Sequence, residues 1–423
     1  MKGISRLMRI MNVAFFIARK SVQRGSRAVK IVTVFILMLT FLNLTVVGGL
    51  LNGITEDIGI KVRDAFVGDV FVKPIEGYSY IQNTNDFFPY LRENPLVAGY
   101  SPRLLSGVNI ESDYKRISGS RQPTHVGTTL TGIDPIAESS ATILLKKIIA
   151  GRFLNENETG SIVLGASLVD GYIASRSGSS DTLGHVLIGD KVRVRLPSGS
   201  LHEFTVVGIT HTKASSMDQR AFVNYKELRS LLELSDNKYS EIAIRATDSA
   251  VATSLEKYLK EKNEAMGFKN DVKGLSESVP SAVDDVKKAF ALIGSIVSVI
   301  AILVGLITIF VIIFVNASSR RRYLGILKAQ GIESSALILS YVLQALLYTV
   351  IGVIIGTAIL YIFLQGYFEK NPLSLPMADG SLLLGFDYVS ARVIMLLISS
   401  LISGFIPAWF IIRQNTLDSI LGR

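Results

Sequence analysis

The sequence has no cysteine, one tryptophan and only four histidines among its 423 residues. Without cysteine, the chain can form neither a disulfide nor a thiolate metal site. No carboxylate stands at a recognised ligand spacing from His125, His185, His202 or His211, so we interpret them as surface or hairpin residues. The phosphate-binding pattern Gly-x-x-x-x-Gly-Lys-Ser/Thr is absent, as is the Gly-x-Ser-x-Gly turn of many hydrolases. We therefore predict no catalytic, cofactor-binding or metal-binding residue in this chain.

Charged residues are missing from four long runs, at 31–55, 289–319, 334–368 and 393–412. Each run holds about 20 or more mostly apolar residues, and a helix of that length crosses a hydrocarbon core of about 30 Å. Helices of soluble proteins seldom run this far without a polar stripe. The runs therefore predict four transmembrane helices, one near the start of the chain and three near its end.

The middle of each predicted span contains no Asp, Glu, His, Lys or Arg. Ion-coupled carriers and channels normally need such residues, or unwound polar helices, at the centre of the bilayer. This absence argues against a secondary transporter and against a channel. It favours spans that act as stiff levers.

Basic residues are concentrated beside the predicted spans. Eight Lys and Arg residues and no acidic residue precede the first span, and Arg320, Arg321, Arg322 and Lys328 occupy the short loop after the second. Short loops rich in Lys and Arg remain in the cytoplasm. We therefore expect both termini and the loop to be cytoplasmic and the large polar segment to lie outside. The net charge of +9 is then a topology signal, and we predict no nucleic-acid partner.

The predicted fold class is an α-helical membrane protein with a 1+3 layout of spans and a large mixed α/β extracytoplasmic domain. The predicted divisions are a cytoplasmic amphipathic helix (1–28), the first span (29–55), the outer domain (56–288), the second span (289–316), a cytoplasmic helix (317–333), the third span (334–366), an outer loop (367–391), the fourth span (392–412) and a cytoplasmic tail (413–423).

The outer domain contains both strand and helix patterns. Its two flanks, about 60–113 and 241–277, predict one membrane-proximal α/β subdomain, into which a strand-rich subdomain at about 114–240 is inserted. Turn residues at 197–200 predict a hairpin, and 175–181 has the composition of a loop. The predicted strands lie near 69–73, 104–110, 161–165, 191–196, 203–208, 241–245 and 268–273, and the predicted helices at 84–94 and 249–262.

Two short segments beside the spans carry the most specific sequence motifs of the chain. The segment 320–331 predicts an amphipathic helix, basic at its start, apolar at Leu324, Ile326 and Leu327, and ended by Gly331. A basic anchor needs only the arginines, so the apolar residues indicate docking on a partner protein. The second segment, 406–420, contains the end of the last span and the residues at which the chain leaves the membrane. Within the third span, Gly352 and Gly356 favour close helix packing.

These segments resemble the FtsX-like permease family of ABC transporters, and the outer domain resembles the MacB-type periplasmic core domain. Tyr323 stands where the family's loop pattern usually has Glu, and Thr416 where its exit pattern has Pro. The outer-domain resemblance rests on 132–135, 151–154, 162–165 and 189–192. The resemblance implies a coupling helix with Arg322, Leu324, Gly325, Ile326, Leu327, Lys328, Ala329 and Gly331, and a membrane exit motif with Pro407, Ala408 and Arg413.

The resemblance also implies the chain's partners and location. It would be a permease of the bacterial inner membrane, surrounded by membrane lipid, that pairs with a second permease chain, identical or paralogous. A separate ABC ATPase subunit would bind ATP and Mg, and a periplasmic adaptor or carrier is a further candidate partner. The substrates would be lipoproteins, amphiphiles or small molecules. The short turn at 197–200 stands where carrier-recruiting lipoprotein permeases have a long hook, which argues against direct capture of a carrier.

Two other functions remain open from the sequence. One is an FtsX-like regulator of extracytoplasmic cell-wall hydrolases, in which the outer domain is a binding module. The other is a membrane-anchored sensor without an ATPase. The identity of the substrate, the direction of its movement and the composition of the permease pair are also open.

Overall fold

The structure is a computed structural model that describes residues 2–24, 26–114, 124–173, 182–235, 237–278, 281–375 and 378–413. The chain divides into two compact units. The helical unit comprises 1–54, 287–373 and 380–423, and the α/β unit comprises 55–286 and 374–379. The predicted loop at 175–181 and the tail beyond Arg413 lie outside the described residues.

Helices account for most of the helical unit and also occur in the α/β unit. In chain order they are α1 (Lys2–Arg24), α2 (Arg27–Val62), α3 (Thr84–Glu93), α4 (Pro135–Ala141), α5 (Ser215–Asp218), α6 (Tyr225–Leu231), α7 (Ala252–Ala265), α8 (Leu275–Ser278), α9 (Ser281–Ser319), α10 (Arg321–Ala329), α11 (Ser334–Ile359), α12 (Gln365–Lys370) and α13 (Phe386–Ile412).

Four of these helical stretches are long and apolar enough to cross a membrane: Arg27–Val67, Asp285–Ser319, Ser334–Lys370 and Phe386–Ile412. The predicted fold class and the 1+3 layout are therefore confirmed. Two of the stretches contain π-helical turns, at Arg63–Val67 and Leu360–Leu364. The predicted amphipathic helix near the start of the chain is α1, in which Ala14 and Ala18 are buried while Phe15, Phe16 and Arg19 are exposed.

Small residues bring the spans of the helical unit into close contact. A Cβ atom added at Gly352 would lie 3.1 Å from the Cβ of Leu37, and one added at Gly356 would lie 2.7 Å from a ring carbon of Phe41. Both contacts join α11 to α2, so the predicted close packing at these glycines is confirmed. Nearer the start of α11, Gly404 of α13 faces Ala345. The buried hydroxyl of Thr349 also donates to the Ser400 oxygen across 2.9 Å.

The Gly356→Ala substitution should destabilise the chain. Phe41 is fully buried, so it cannot move away from the added methyl group without displacing its neighbours. We expect a loss of about 1–3 kcal/mol, measured as a lower midpoint of thermal unfolding in detergent. Gly366→Ala is the matched control, because nothing lies within 4 Å of its added Cβ. Equal midpoints for the two variants would contradict the packing argument.

The α/β unit is built on a mixed sheet. Its strands are β1 (Val70–Pro74), β2 (Val97–Ser112), β3 (Thr124–Ile133), β4 (Ile148–Gly151), β5 (Ser161–Gly165), β6 (Lys191–Arg195), β7 (Leu201–Thr210), β8 (Arg220–Asn224), β9 (Glu241–Ala246) and β10 (Asn270–Gly274). Two short strands, β11 (Leu373–Ser374) and β12 (Asp379–Gly380), pair with each other.

The strand order is β10-β1-β9-β2-β3-β8-β5-β7-β4, and β6 pairs with β2 and β7. The pairs β3–β8 and β5–β7 are parallel, and the other pairs are antiparallel. Every strand predicted from the sequence is present within one to several residues of its expected bounds, as are the helices near 84–94 and 249–262. The predicted hairpin is also present. Gly199, with φ of +86°, lies in the turn that joins β6 to β7.

The long strand β2 belongs to two parts of the sheet. Its residues up to Arg103 pair with β9, and its residues from Leu104 onward pair with β3. One apolar core, which includes Val72, Phe87 and Leu255, packs around β1, β9 and β10. A second core, which includes Ile110, packs around the remaining strands. The partner of β2 therefore changes within the segment that the sequence analysis gave to the membrane-proximal subdomain.

Candidate functional site: a short helix and the base of the α/β unit

The short helix α10 lies between the second and third spans and ends in a glycine turn. Gly331 has φ of +89°, a value that glycine adopts without strain. The N–H of Ile332 donates to the Leu327 carbonyl, and the N–H of Gly331 donates to the Lys328 carbonyl. These two bonds satisfy the last carbonyls of the helix in the Schellman pattern. Gly331 therefore ends α10 as the sequence predicted.

One face of α10 is packed into the helical unit. The side chain of Leu324 is 5% exposed, Gly325 is also buried, and Leu327 is half-buried. Leu324 belongs to an apolar cluster that draws residues from every span: Leu37 of α2, Ile309, Ile313 and Ala317 of α9, Leu337, Tyr341, Ala345 and Tyr348 of α11, and Ala408, Ile411 and Ile412 of α13. Because packed interiors transmit strain, a shift of α10 would require this cluster to repack.

Lys328 joins α10 to the end of the last span. Its ammonium group donates to the carbonyl of Ile412, the last residue of α13, across 2.9 Å. A cation at this place satisfies a free carbonyl and the negative end of the helix dipole. Ala408 and Pro407 are buried, and the guanidinium of Arg413 lies 4.8 Å from the ring centre of Trp409. The structure thus brings Lys328 and Leu324 against the exit motif.

The other face of α10 is exposed. Its residues differ from the apolar set that the sequence predicts for docking on a partner. Leu324, expected to contact a partner, points into its own chain. Tyr323 is 57% exposed and Ile326 41%, and Arg322 and Ala329 are also exposed. Positions 322, 326 and 329 follow the spacing of one helix face. The outward face, defined by Arg322, Tyr323, Ile326 and Ala329, therefore includes Tyr323. In the sequence, Tyr323 stands out only as a departure from the family pattern, although a large aromatic ring in a basic helix is itself a usable signal.

Polar contacts attach α1 to residues that flank α10 in the chain. Arg320 donates to the Ser21 hydroxyl across 2.9 Å, and Arg6 donates to Glu333 across 3.1 Å. The hydrogen bond from Arg6 lowers the pKa of the Glu333 carboxyl, so this ion pair persists at neutral pH. Both residues are exposed, so the pair adds little stability. Its effect is to orient α1 beside α10.

A buried ionic network lies in the α/β unit where the chain leaves α2, and we call this part of the unit its base. The network consists of Arg103, Glu138, Arg220 and Glu241 around Phe66. Arg103 is fully buried, and its guanidinium donates to both oxygens of Glu138, across 2.8 and 2.6 Å. The same guanidinium donates to Glu241 across 3.1 Å and to the carbonyl of Phe66 across 2.8 Å. Arg220 donates to Glu241 across 2.7 Å. Phe66 lies in the π-helical turn after α2, so the network fixes the segment that enters the sheet.

Two features hold this entry segment further. Arg245 of β9 donates to Asp64 across 3.0 Å, and the Asp69 carboxylate accepts from the N–H of Ala246 across 2.9 Å. Gly68 has φ of +70°, and a Cβ there would lie 2.4 Å from the Ile244 carbonyl oxygen. Only glycine fits this close approach. These ionic contacts could not be predicted from the sequence, because their residues are far apart in the chain and charged residues inside strands usually face water.

The pKa directions agree with an ionised network. Burial alone would lower the pKa of Arg103, but Glu138 and Glu241 raise it above its ordinary value. Burial alone would raise the pKa of the Glu241 carboxyl, but Arg220 and Arg103 lower it. Arg103 and Glu241 therefore stay charged at neutral pH. Removing one member would leave its partners buried and unpaired.

A second charged group, the Asp379 cluster, consists of Asp57, Lys61, Lys213 and Asp379. The Asp379 carboxylate lies 3.3 Å from the Lys61 ammonium and also accepts a hydrogen bond from Lys213. The N–H of Asp379 donates to the Asp57 carboxylate across 2.6 Å. The cluster joins the segment 374–379, which lies in the chain between the third and fourth spans, to the end of α2 and to the loop after β7.

Two of the four histidines have polar partners in the described part of the chain. His211 contacts Asp218 across 2.8 Å, and His202 contacts the Ser200 hydroxyl across 3.2 Å. Within the described ranges, no three His, Asp or Glu side chains are placed to hold a metal ion.

The Arg103→Ala substitution should destabilise the α/β unit severely. It would leave Glu138 and part of Glu241 buried without their cation, at a cost of about 3–5 kcal/mol. Denaturant unfolding of the purified chain measures this loss. Arg195→Ala is the control, because Arg195 is 44% exposed and pairs with Glu111 near the surface, so its loss should cost about 1 kcal/mol or less. A similar small loss for both variants would contradict the role of the network.

The Asp379 cluster should weaken in acid. Burial alone would raise the pKa of Asp379, but hydrogen bonds from Lys213 and Lys61 lower it below its ordinary value. A lowered folded pKa stabilises the fold above the unfolded pKa of about 3.9, and this stabilisation is lost as the pH falls through the folded pKa. The stability difference between the natural chain and Asp379→Asn should therefore be constant from pH 7 to about pH 5 and shrink below about pH 4. A difference that stays constant to pH 2.5 would contradict this assignment.

Comparison with known proteins matches both parts of the chain to described families. Residues 295–416 match the family described as FtsX-like permease C-terminal, and residues 31–262 match the MacB-like periplasmic core domain. A similar protein is Macrolide export ATP-binding/permease protein MacB 2 of Aeromonas hydrophila subsp. hydrophila, with 23% identity over 329 residues. The match covers 77% of this chain and 47% of that protein, so the chain spans about half the length of this relative.

Two solved structures are similar to part of the chain. One is the periplasmic region of MacB from Actinobacillus actinomycetemcomitans, with 14% identity and a TM-score of 0.35, covering 53% of this chain and 94% of that one. The other is the extracellular domain of the noncanonic ABC-type transporter YknZ from Gram-positive bacteria, with 13% identity and a TM-score of 0.33. It covers 48% of this chain and 98% of that one.

Proposed function

Because the chain belongs to the FtsX- and MacB-type family of ABC transporter permeases, whose members work with an ABC ATPase partner, we propose that it couples ATP hydrolysis in a separate ATPase subunit to movement of its α/β unit. The observation that carries this proposal is the two-faced packing of α10. One face contributes Leu324 to an apolar cluster with members from every span of the helical unit, and the outward face is exposed.

The first step of coupling is docking on the outward face of α10. Tyr323 and Ile326 supply apolar contact, and Arg322 supplies a charge for recognition by an acidic partner surface. Aromatic and Arg side chains of this kind often carry most of the binding energy of an interface. Leu324 and Leu327 act indirectly, because they hold α10 on the spans.

The second step is transmission of movement from α10 to the spans. Leu324 contacts a cluster with members from α2, α9, α11 and α13, and Lys328 holds the end of α13. A partner that displaces α10 must therefore repack or move the spans together. Uncharged, closely packed spans suit this role better than that of a polar conduit.

The third step takes place in the α/β unit. The π-helical turn that follows α2 presents the Phe66 carbonyl to Arg103. Arg103 stands where β2 changes partner from β9 to β3. A pull on this turn would therefore act on both parts of the sheet through one buried guanidinium. The substrate would be a lipoprotein, an amphiphile or a small molecule that is released or exported.

The proposal includes a membrane orientation and a set of partners. We place both termini and α10 in the cytoplasm of a bacterial inner membrane, because Lys and Arg are concentrated around them. The α/β unit is then extracytoplasmic. A second permease chain, identical or paralogous, would complete the membrane part, and a periplasmic adaptor or carrier is a further candidate partner.

Charge placed on the outward face of α10 should uncouple the permease from its ATPase. We expect the double variant Tyr323→Asp, Ile326→Asp to bind the co-expressed ATPase about 30-fold more weakly, because it loses contacts of about 2 kcal/mol. Binding is measured by co-purification and titration in detergent. Permease-dependent ATP hydrolysis is measured in parallel.

Two controls separate docking from folding. Tyr367→Asp places one of the two changes on an exposed tyrosine of α12 and should leave ATPase binding unchanged. Leu324→Asp should lower the unfolding midpoint of the permease itself, because Leu324 is buried. Undiminished binding by a folded double variant would refute docking through this face.

The same preparation distinguishes a regulator of cell-wall hydrolases. In that case the full chain with its ATPase should retain a peptidoglycan hydrolase added to it, and ATP should change the hydrolase activity. Under the proposed function, ATP should instead change the binding of a lipoprotein or amphiphile.

A further inference from the structure

An apolar groove crosses the surface of the helical unit between α1, α11 and α13. It has a volume of about 740 Å³, and its walls include Met11 of α1, Leu339 and Val342 of α11, and Ile402 and Phe405 of α13. Along α11 the groove extends from Ser335 to Val342, a distance of about 10 Å at the helical rise. Its volume and apolar lining suit a hydrocarbon chain.

A basic mouth adjoins one end of this groove. It is lined by Arg6, Arg9 and Glu333, it shares Ile10 with the groove, and it includes Ala336, which is next to Ser335 in α11. Arg6 is paired with Glu333 across 3.1 Å. Arg9 adds a further positive charge and is exposed. The mouth therefore carries a net charge of about +1, directly beside the apolar groove.

From this juxtaposition we infer that the groove and its mouth bind one anionic phospholipid of the membrane. An acyl chain would lie along α11 and α13, and the phosphodiester would lie at Arg9. A lipid such as phosphatidylglycerol, with a single negative charge, complements the net charge of the mouth. A zwitterionic headgroup would bring its own ammonium group to the same place. This inference does not depend on the proposed ATPase coupling.

The site would give the lipid a structural effect on α10. Glu333 lies between α10 and α11, and Arg6 binds it from α1. A phosphate at Arg9 would hold α1 against α11, in addition to the contact of Arg320 with Ser21 further along α1. Bound lipid would thereby steady the support of α10.

Quenching of a single tryptophan tests this site. The chain has one tryptophan, so Trp409→Phe combined with Phe405→Trp places the only reporter in the groove. The purified chain is placed in vesicles that contain either brominated phosphatidylglycerol or brominated phosphatidylcholine. We expect phosphatidylglycerol to associate with this reporter about fivefold more strongly, the effect of about one basic residue at a membrane surface. High salt should reduce the preference.

Matched variants give the test its controls. Phe410→Trp, in the Trp409→Phe background, places the reporter on another face of α13 at 61% exposure, and it should show little preference between the lipids. Arg9→Gln should abolish the preference at position 405, whereas Arg19→Gln, an equal change at an exposed position of α1 outside the mouth, should retain it.

Three results would overturn the inference. The first is equal association of the two lipids at position 405, and the second is an Arg9→Gln variant that keeps the preference. The third is a reporter that neither lipid quenches while both quench position 410, because a second protein chain would then cover the groove. If Phe405→Trp does not fold, Ile402→Trp places the reporter on the same wall.

Discussion

The α/β unit depends on one buried ionic interaction, in which Arg103 is shared by Glu138, Glu241 and the carbonyl of Phe66. A guanidinium without contact to water is tolerable only when carboxylates and carbonyls satisfy it. This requirement ties together β2, β9, α4 and the turn that follows α2. Residues distant in the chain therefore have to meet at one point, and the sheet changes its pairing there.

A different constraint governs the helical unit. In lipid, each backbone amide must be satisfied within its own helix, so the spans are long helices that touch through small residues such as Gly352, Gly356 and Gly404. The short helix α10 adds a buried leucine and a lysine that caps the last span. Close packing makes these contacts stiff. The same stiffness makes α10 suitable for receiving a mechanical displacement.

The proposed lipid site follows from the same arrangement of helices. Because α1 is amphipathic and packs beside α11, it leaves a groove next to α13 and brings its arginines to one end. In the arrangement that we propose, the chain meets two partners at neighbouring places, a protein on α10 and a lipid beside α1. Glu333 and Arg6 stand between the two and join them through one exposed ion pair.

The sequence by itself determined the spans, their 1+3 layout, the strands of the α/β unit and the positions of α10 and Gly331. These features arise from local patterns: charge-free runs, alternation of apolar residues, and glycine where the backbone needs positive φ. Only the tertiary structure decided which way Leu324 and Tyr323 point, that Lys328 caps α13, and that Arg103 meets Glu138 and Glu241. Those outcomes depend on which distant surfaces pack together, and a helix with apolar residues on two sides does not itself specify the buried one.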